Sequence, residues 1–231
     1  MNGLNRLGSC IFCGASTQGI DLSIAGKIIS LPPAECCGSQ DCISRRDQEE
    51  SKKRADEMLQ HLISQVPPII RETHLPGLPS DKARSLSSWM PTDEKRHLFI
   101  CGGVRSGKTR SMFLAASGIA RATSHPITWV DSFRLEEAFT GFGAGNADLS
   151  RIRTARLLAL DDLGKERLSE KIATGIFKIL DYRTSYALTT LITSNFTPSA
   201  LSDRFHDETL GTAIRGRIND FFDRYLLENK S

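Results

Sequence analysis

No stretch of this 231-residue chain approaches the roughly twenty consecutive apolar residues needed to cross a bilayer. Its first residues, MNGLNRLGSC, lack the apolar core of a secretory signal. These absences predict a cytoplasmic protein with no membrane partner, in a compartment where disulfides are rare. An excess of one charge is also missing. The 30 Lys+Arg and 27 Asp+Glu leave a formal charge of +3, with a pI near 8.6. That balance permits contact with nucleic acid without arguing for it, because nucleic-acid-binding domains often cluster far more charge. With 39% hydrophobic and 25% charged residues, the composition is that of a globular protein with room for one ordinary domain and a small appendage.

Since disulfides are not expected, the six cysteines need another explanation. Five lie between Cys10 and Cys42, as Cys10-x2-Cys13-Gly14 and then Cys36-Cys37-Gly-Ser-Gln-Asp-Cys42, with no histidine among them. A C-x2-C knuckle followed by a second cysteine group about two dozen residues later is a zinc-site spacing. Between the two groups, Ile20–Ile24 and Lys27–Leu31 flank Ala25-Gly26 and predict a small hairpin. Knuckle, hairpin and a last ligand at a helix start resemble treble-clef zinc modules. Cys10, Cys13, Cys37 and Cys42 are the expected ligands of a structural Zn²⁺, with Cys36 as the spare or substitute. A redox C-x-x-C would need a βαβ pattern around Cys10, and none is there. Lone Cys101, in an apolar strand, reads as a small buried hydrophobe.

The zinc module is assigned to residues 1–43. Residues 44–95 form a connecting region. In it, Ala55, Met58, Leu59, Leu62, Ile63 and Val66 mark one stripe of a highly charged helix over Ser44 to Val66. Pro67-Pro68 ends that helix. A proline-rich segment follows, with a short helix near Asp81 to Trp89, and Ile69, Ile70, Leu75 and Leu78 place it against the core.

The core, residues 96–231, is organised around RHLFICGGVRSGKTRSMFLAASGIARAT. A strand through Leu98–Cys101 breaks into Gly102, Gly103, Val104, Arg105, Ser106, Gly107, Lys108 and Thr109, which match G-x-x-x-x-G-K-[ST] at every fixed position. Apolar residues at helical spacing follow. Glycines let successive backbone N–H groups turn inward around phosphate oxygens, and a helix N-terminus adds partial positive charge. Strand, loop and helix in this order predict a nucleoside triphosphate site, with Lys108 on the outer phosphates and the Thr109 hydroxyl on Mg²⁺.

Further on, Leu157-Leu-Ala-Leu160 ends in Asp161-Asp162, the Walker B pattern. Asp161 is expected to hold Mg²⁺, directly or through water. Asp162 stands where many such ATPases place a glutamate that polarises the attacking water. Asp is shorter by a methylene and is expected to polarise it less. A strand over Leu188–Thr193 ends in Ser194-Asn195. A polar residue at the tip of a strand between the two motif strands can touch the γ-phosphate; Asn195 is the choice, with Ser194 or Thr193 as alternatives. Phe142 to Asn146 reads as a glycine-rich loop, and helices are expected around Ser132–Phe139 and Ser169–Tyr182. Near the end, Arg217 is better placed than Arg215 for a finger donated into a neighbouring copy's site.

The order GGVRSGKT, LLALDDLGKE, ILDYRTS, LITSNFTPSAL and AIRGRI resembles the helicase-loader ATPases of the DnaC type, with their phage and transposon-associated relatives, over roughly Pro67 to Glu228. The resemblance implies an α/β P-loop AAA+ core, three layers around a parallel sheet, without a C-terminal helical lid. It implies ATP and Mg²⁺ as ligands, and functional roles for Lys108, Thr109, Asp161, Asp162, Asn195 and Arg217. Such loaders often carry a further arginine four residues before the finger, where this chain has Ala213. The implied partners are a hexameric replicative helicase, single-stranded DNA and a second copy through Arg217. The implied function is ATP-switched helicase loading in DNA replication. The alternatives are a transposition-accessory ATPase acting on DNA and a transposase, or a nucleotide-switched interaction module with negligible hydrolysis.

Overall fold

The computed structural model describes residues 7–24, 27–74, 78, 80–141, 144–165 and 169–228. The chain divides into two units, Met1–Arg54 and Ala55–Ser231. In the first, β1 (Leu7–Ser9) pairs antiparallel with β2 (Ser16–Gln18), and β3 (Ile20–Ile24) with β4 (Lys27–Leu31). The second pair is the expected hairpin, although Ala25 and Gly26 lie outside the described residues. No residue of β4 is buried. Among residues of this unit whose burial is described, the buried apolar side chains are those of Cys10 and Cys42. Among the described residues of this unit, so little apolar burial leaves no hydrophobic core to hold it.

The long helix α1 (Gln40–Gln65) starts ahead of the Ser44 expected from sequence. Ser39 explains the difference. Its hydroxyl accepts the Cys42 N–H at 3.4 Å and its carbonyl accepts the Ile43 N–H at 2.9 Å, which places Cys42 in the first turn. The division between the units falls inside this helix, after Arg54.

In the second unit, the single turn α2 (Pro68–Arg71) opens on a proline, with the Pro67 carbonyl accepting the Ile70 N–H at 2.9 Å, and the Ser80 side chain caps α3 (Asp81–Leu86) through the Ala83 N–H. There follow β5 (His97–Gly102), α4 (Lys108–Thr123), β6 (Ile127–Asp131), α5 (Ser132–Thr140), α6 (Ala144–Thr154), β7 (Leu157–Asp161), α7 (Glu170–Ser185), β8 (Thr189–Ser194), α8 (Pro198–Ser202), α9 (Glu208–Phe221) and β9 (Phe222–Leu227). Among the described residues five of these strands form one parallel sheet in the order β6-β7-β8-β5-β9. Helices cover both faces, so β5 and β7 carry continuous apolar runs, while the middle strand β8 buries threonines beside Leu191 and Ile192. Phe99, Cys101, Leu158, Leu160 and Ile192 join the core under α7 and α9, while Leu98, Ile100, Leu157, Ala159 and Leu191 join the core under α4. Cys101 is buried, as its position in an apolar run implies. Leu78 is buried as well, while Leu75 lies outside the described residues.

One local expectation is corrected. Residues 144–146, assigned to a glycine-rich loop, open helix α6; Phe142 and Gly143 lie outside the described residues. Glycine lowers intrinsic helix propensity by about 1 kcal/mol, which hides this helix from a local reading. Its carboxyl end is held from elsewhere in the fold. The fully buried Arg183 guanidinium donates to the carbonyls of Ile152, Arg153 and Ala155 at 3.2, 3.0 and 2.7 Å, and also to the Thr189 carbonyl at 2.7 Å and the Thr190 hydroxyl at 2.9 Å. All these acceptors are neutral, and burial brings the Arg183 pKa down to about 9.

His97, at the start of β5, is 3% exposed, its ring tilted by 32° against that of Phe222 with centroids 4.8 Å apart, and its Nδ1 lacks a partner. Burial, reinforced by Arg183 and Arg96, lowers its pKa from 6.5 to about 4. The unfolded chain therefore takes up this proton first as pH falls. The neutral ring's contribution to stability is complete above about 6.5 and is lost as pH drops toward about 4. Between pH 7 and pH 4.5 this site should cost roughly 2–3 kcal/mol, at about 1.4 kcal/mol per pKa unit. Guanidinium unfolding at the two pH values should show His97→Phe with a shallower acid dependence than the parent by that amount; equal dependences would refute the assignment.

Candidate functional site

The segment between β5 and α4 is shaped by backbone constraints. At Gly102, φ is +152° and a Cβ would lie 2.1 Å from the Leu227 carbonyl oxygen, so the end of β9 excludes any side chain there. Gly107 precedes α4 in the left-handed region, at φ +90°, and supplies no side chain to cap it. The first N–H groups of the helix are thereby free of a side-chain acceptor, which is the setting in which a helix end receives an anion. Within the loop, the Ser106 hydroxyl is buried and lacks a partner.

Lys108 is 6% exposed, and its Nζ donates to the Gly103 carbonyl at 2.7 Å. Burial lowers its pKa; Asp162 and Asp161 oppose that shift, and Lys165 adds to it. Facing it at the end of β7, the Asp161 Oδ1 accepts from the Thr109 hydroxyl at 2.9 Å and from the Thr193 hydroxyl at 2.6 Å. Burial, together with neighbouring Asp162, raises the Asp161 pKa, while these two hydrogen bonds pull it down. Thr193 has a second task. Its Oγ1 accepts the Asp162 N–H at 2.8 Å and so fixes the backbone where Asp162 takes φ +60°. The Asp162 carboxylate turns to Lys165, whose Nζ donates to it at 2.6 Å.

These groups meet in a cleft of about 510 Å³ lined by Lys108, Thr109, Asp162, Lys165 and Asn195, with Val104, Arg105, Gly107 and Arg110 along the loop and Ile69 and Ile70 of α2 opposite. Strand β8 lies between β7 and β5, so Asn195 does leave a strand between the two motif strands. Arg217 does not line this cleft. It sits on α9, paired with Asp181 of α7 and 5.7 Å from the Phe221 ring. Sequence reasoning named Thr193 as a substitute for Asn195 and did not see it bonded to both acidic residues. The signal was in the register: Leu160 pairs with Ile192, so the next residues along, Asp161 and Thr193, fall side by side. Lys165 carried no motif that would have singled it out.

In the first unit, the thiols of Cys10, Cys13, Cys37 and Cys42 lie within 4.8 Å of one another, and Cys36 is outside the group. The Gly14 N–H donates to the Cys10 carbonyl and the Cys10 N–H to the Ala15 carbonyl, both at 2.8 Å, closing the knuckle turn. Cys13 and Cys37 sulfurs are 3.7 Å apart. Two thiolates on a tetrahedral zinc with bonds of about 2.3 Å stand about 3.8 Å apart. The donor set and its spacing fit zinc.

Residues 70–229 match the family model described as IstB-like ATP binding protein. Among curated protein sequences, none matches. Several solved structures share the fold. DnaI is 24% identical, with a TM-score of 0.55 over 71% of this chain and 95% of that one. The DnaC helicase loader is 23% identical, with a TM-score of 0.53 over 71% of this chain and all of that one. The replication initiator DnaA bound to AMPPCP and single-stranded DNA is 18% identical, with a TM-score of 0.51 over 71% of this chain and 51% of that one. At these identities the likeness is one of fold. The family match spans well over half of the sequence and includes the whole cleft apart from Ile69, and the chain belongs to the IstB-like ATP-binding protein family.

Proposed function

We propose that this chain is an ATPase that loads a hexameric replicative helicase onto single-stranded DNA, with nucleotide binding as the switch. The observation that carries the reading is a site complete on one side. Lys108, Thr109, Asp162 and Asn195 line one cleft, Asp161 is bonded to Thr109 at its edge, and Arg217 stands outside it on α9. In this reading a second copy brings its Arg217 to the open side of the cleft, so that ATP binding favours assembly and hydrolysis favours release. The shared fold with a helicase loader and with an initiator bound to single-stranded DNA supports the same partners here.

In this reading Lys108 leaves the Gly103 carbonyl for the outer phosphates, and the loop N–H groups take the remaining phosphate oxygens. Thr109 and Asp161 present two oxygens 2.9 Å apart, the hard donors that Mg²⁺ takes. Magnesium there would neutralise phosphate charge and fix its orientation. Asp162 accepts the proton of the attacking water, which requires Lys165 to release it, and Asn195 orients the γ-phosphate. Residues 96–231 are the ATPase core, residues 44–95 the connection, and residues 1–43 a zinc-bound docking module. The exposed apolar side chains of the hairpin, including Ile20, Leu22, Ile28, Ile29 and Leu31, would form its partner surface.

Three measurements check this. Immobilised protein should capture replicative helicase in the presence of ATP or a non-hydrolysable analogue and lose it on hydrolysis; capture of a transposase, with no helicase among the candidates retained, would overturn the reading. Lys108→Ala should abolish nucleotide binding, while Arg217→Ala should bind ATP normally and lose DNA-stimulated hydrolysis by roughly 100-fold or more, at or below the usual worth of an arginine finger. Undiminished hydrolysis in Arg217→Ala would remove Arg217 from the site. Purified under reducing, chelator-free conditions, the protein should carry about one zinc per chain, and Cys13→Ser should lose it, as a four-thiolate site requires; a zinc content near zero would refute the metal assignment.

A further inference from the structure

The opposite edge of the sheet carries a feature that nucleotide chemistry does not use. The phosphate loop and Asp161 lie at the carboxyl ends of parallel strands. At the amino ends, the Tyr182 and Tyr186 rings stack with centroids 4.3 Å apart, and the Arg153 guanidinium lies 4.8 Å from the centre of the Tyr182 ring. Tyr186 is 65% exposed although it is a large aromatic group. Arg156 follows on the same edge, in contact with the His125 ring, at the foot of β7.

This arrangement is held in place by the buried framework. Arg183, one residue after Tyr182, binds the carbonyls at the end of α6, including that of Arg153 itself. Its own carbonyl accepts the Leu188 N–H at 2.9 Å, and the Tyr186 N–H donates to the Tyr182 carbonyl at 3.0 Å. The backbone that carries Arg153 and both tyrosines is thus anchored before any ligand arrives. The Arg183 charge, paired with neutral oxygens alone, adds to the field of Arg153 and Arg156.

We propose that this edge is a platform for single-stranded nucleic acid, with an unpaired base stacking on Tyr186 and the phosphodiester backbone running past Arg153 and Arg156. An open aromatic face beside arginines matches that ligand on both counts, since stacking takes any base and the cations take the phosphates. An acidic peptide would use the arginines and leave the tyrosine stack without a purpose. A duplex keeps its base faces covered. The proposal rests on the single-strand reading above and gives it a surface. A five-residue strand spans about 16 Å, so this surface is separate from the nucleotide cleft.

The test uses the full chain and a labelled oligothymidylate of roughly twenty nucleotides, enough to span a usual single-strand site, followed by fluorescence anisotropy. Tyr186→Ala should weaken binding by roughly 5- to 100-fold, the worth of one stacked base. Tyr186→Phe should bind like the parent. Arg153→Gln should weaken binding and lower its salt dependence. Affinity for a fluorescent ATP analogue should be unchanged in all three. If the parent binds and Tyr186→Ala binds equally well, this surface is wrong while the single-strand reading stands. A parent that binds no oligothymidylate overturns both. Equal loss of a duplex of the same length in Tyr186→Ala would overturn the single-strand assignment.

Discussion

One carboxylate holds the nucleotide cleft together. Asp161 ends β7 and accepts hydroxyls from Thr109, on the helix that follows the phosphate loop, and from Thr193, on the adjacent strand. Hydrogen bonds to a charged acceptor are worth about 1.5–3 kcal/mol each, enough to offset much of the cost of burying the charge. Burial still wins in the balance of protonation, since the Asp161 pKa is raised. A cation at this point would relieve that burden directly. The two hydroxyls hold the geometry of this carboxylate meanwhile.

Thr193 carries this constraint onward to Asp162. By accepting the Asp162 N–H it fixes a non-glycine residue at φ +60°, and so sets the direction of the next carboxylate. That carboxylate is paired with Lys165, and Lys108 is bonded to its own loop. Both charged groups on which the proposed chemistry depends are thus engaged within the chain. Phosphate, richer in negative charge than either acceptor, is the ligand that would redistribute these contacts.

How much of this could be read from sequence depended on whether the causes were local. The loop from Gly102 to Thr109 and the run ending at Asp161 declare themselves because backbone geometry and strand burial impose residue types directly. The cysteine quartet was legible for the same reason: sulfur donors have few other uses in such a spacing, and the choice of Cys37 over Cys36 agrees with the four thiols that cluster. Helix α6 was missed because its stabilising contacts come from Arg183, about thirty residues later. Thr193 was underrated because its importance depends on strand register, which no local pattern reveals. Arg217 pairs with Asp181 in its own copy, and the finger role proposed for it depends on a second copy that no local pattern describes.

The two units solve the problem of stability in different ways, and the difference bears on function. The second buries both faces of a parallel sheet, with a buried guanidinium joining helix ends to strand starts. It can keep its cleft in register without help. Among the described residues of the first, the buried apolar side chains are those of two of its four clustered cysteines, and apolar residues of both hairpin strands are exposed. Metal ligation would replace the missing core and leave those side chains available to a partner. A docking surface made this way needs no apolar layer of its own behind it. It can therefore present an unusually large share of its hydrophobic residues outward, which a domain stabilised by its core cannot do.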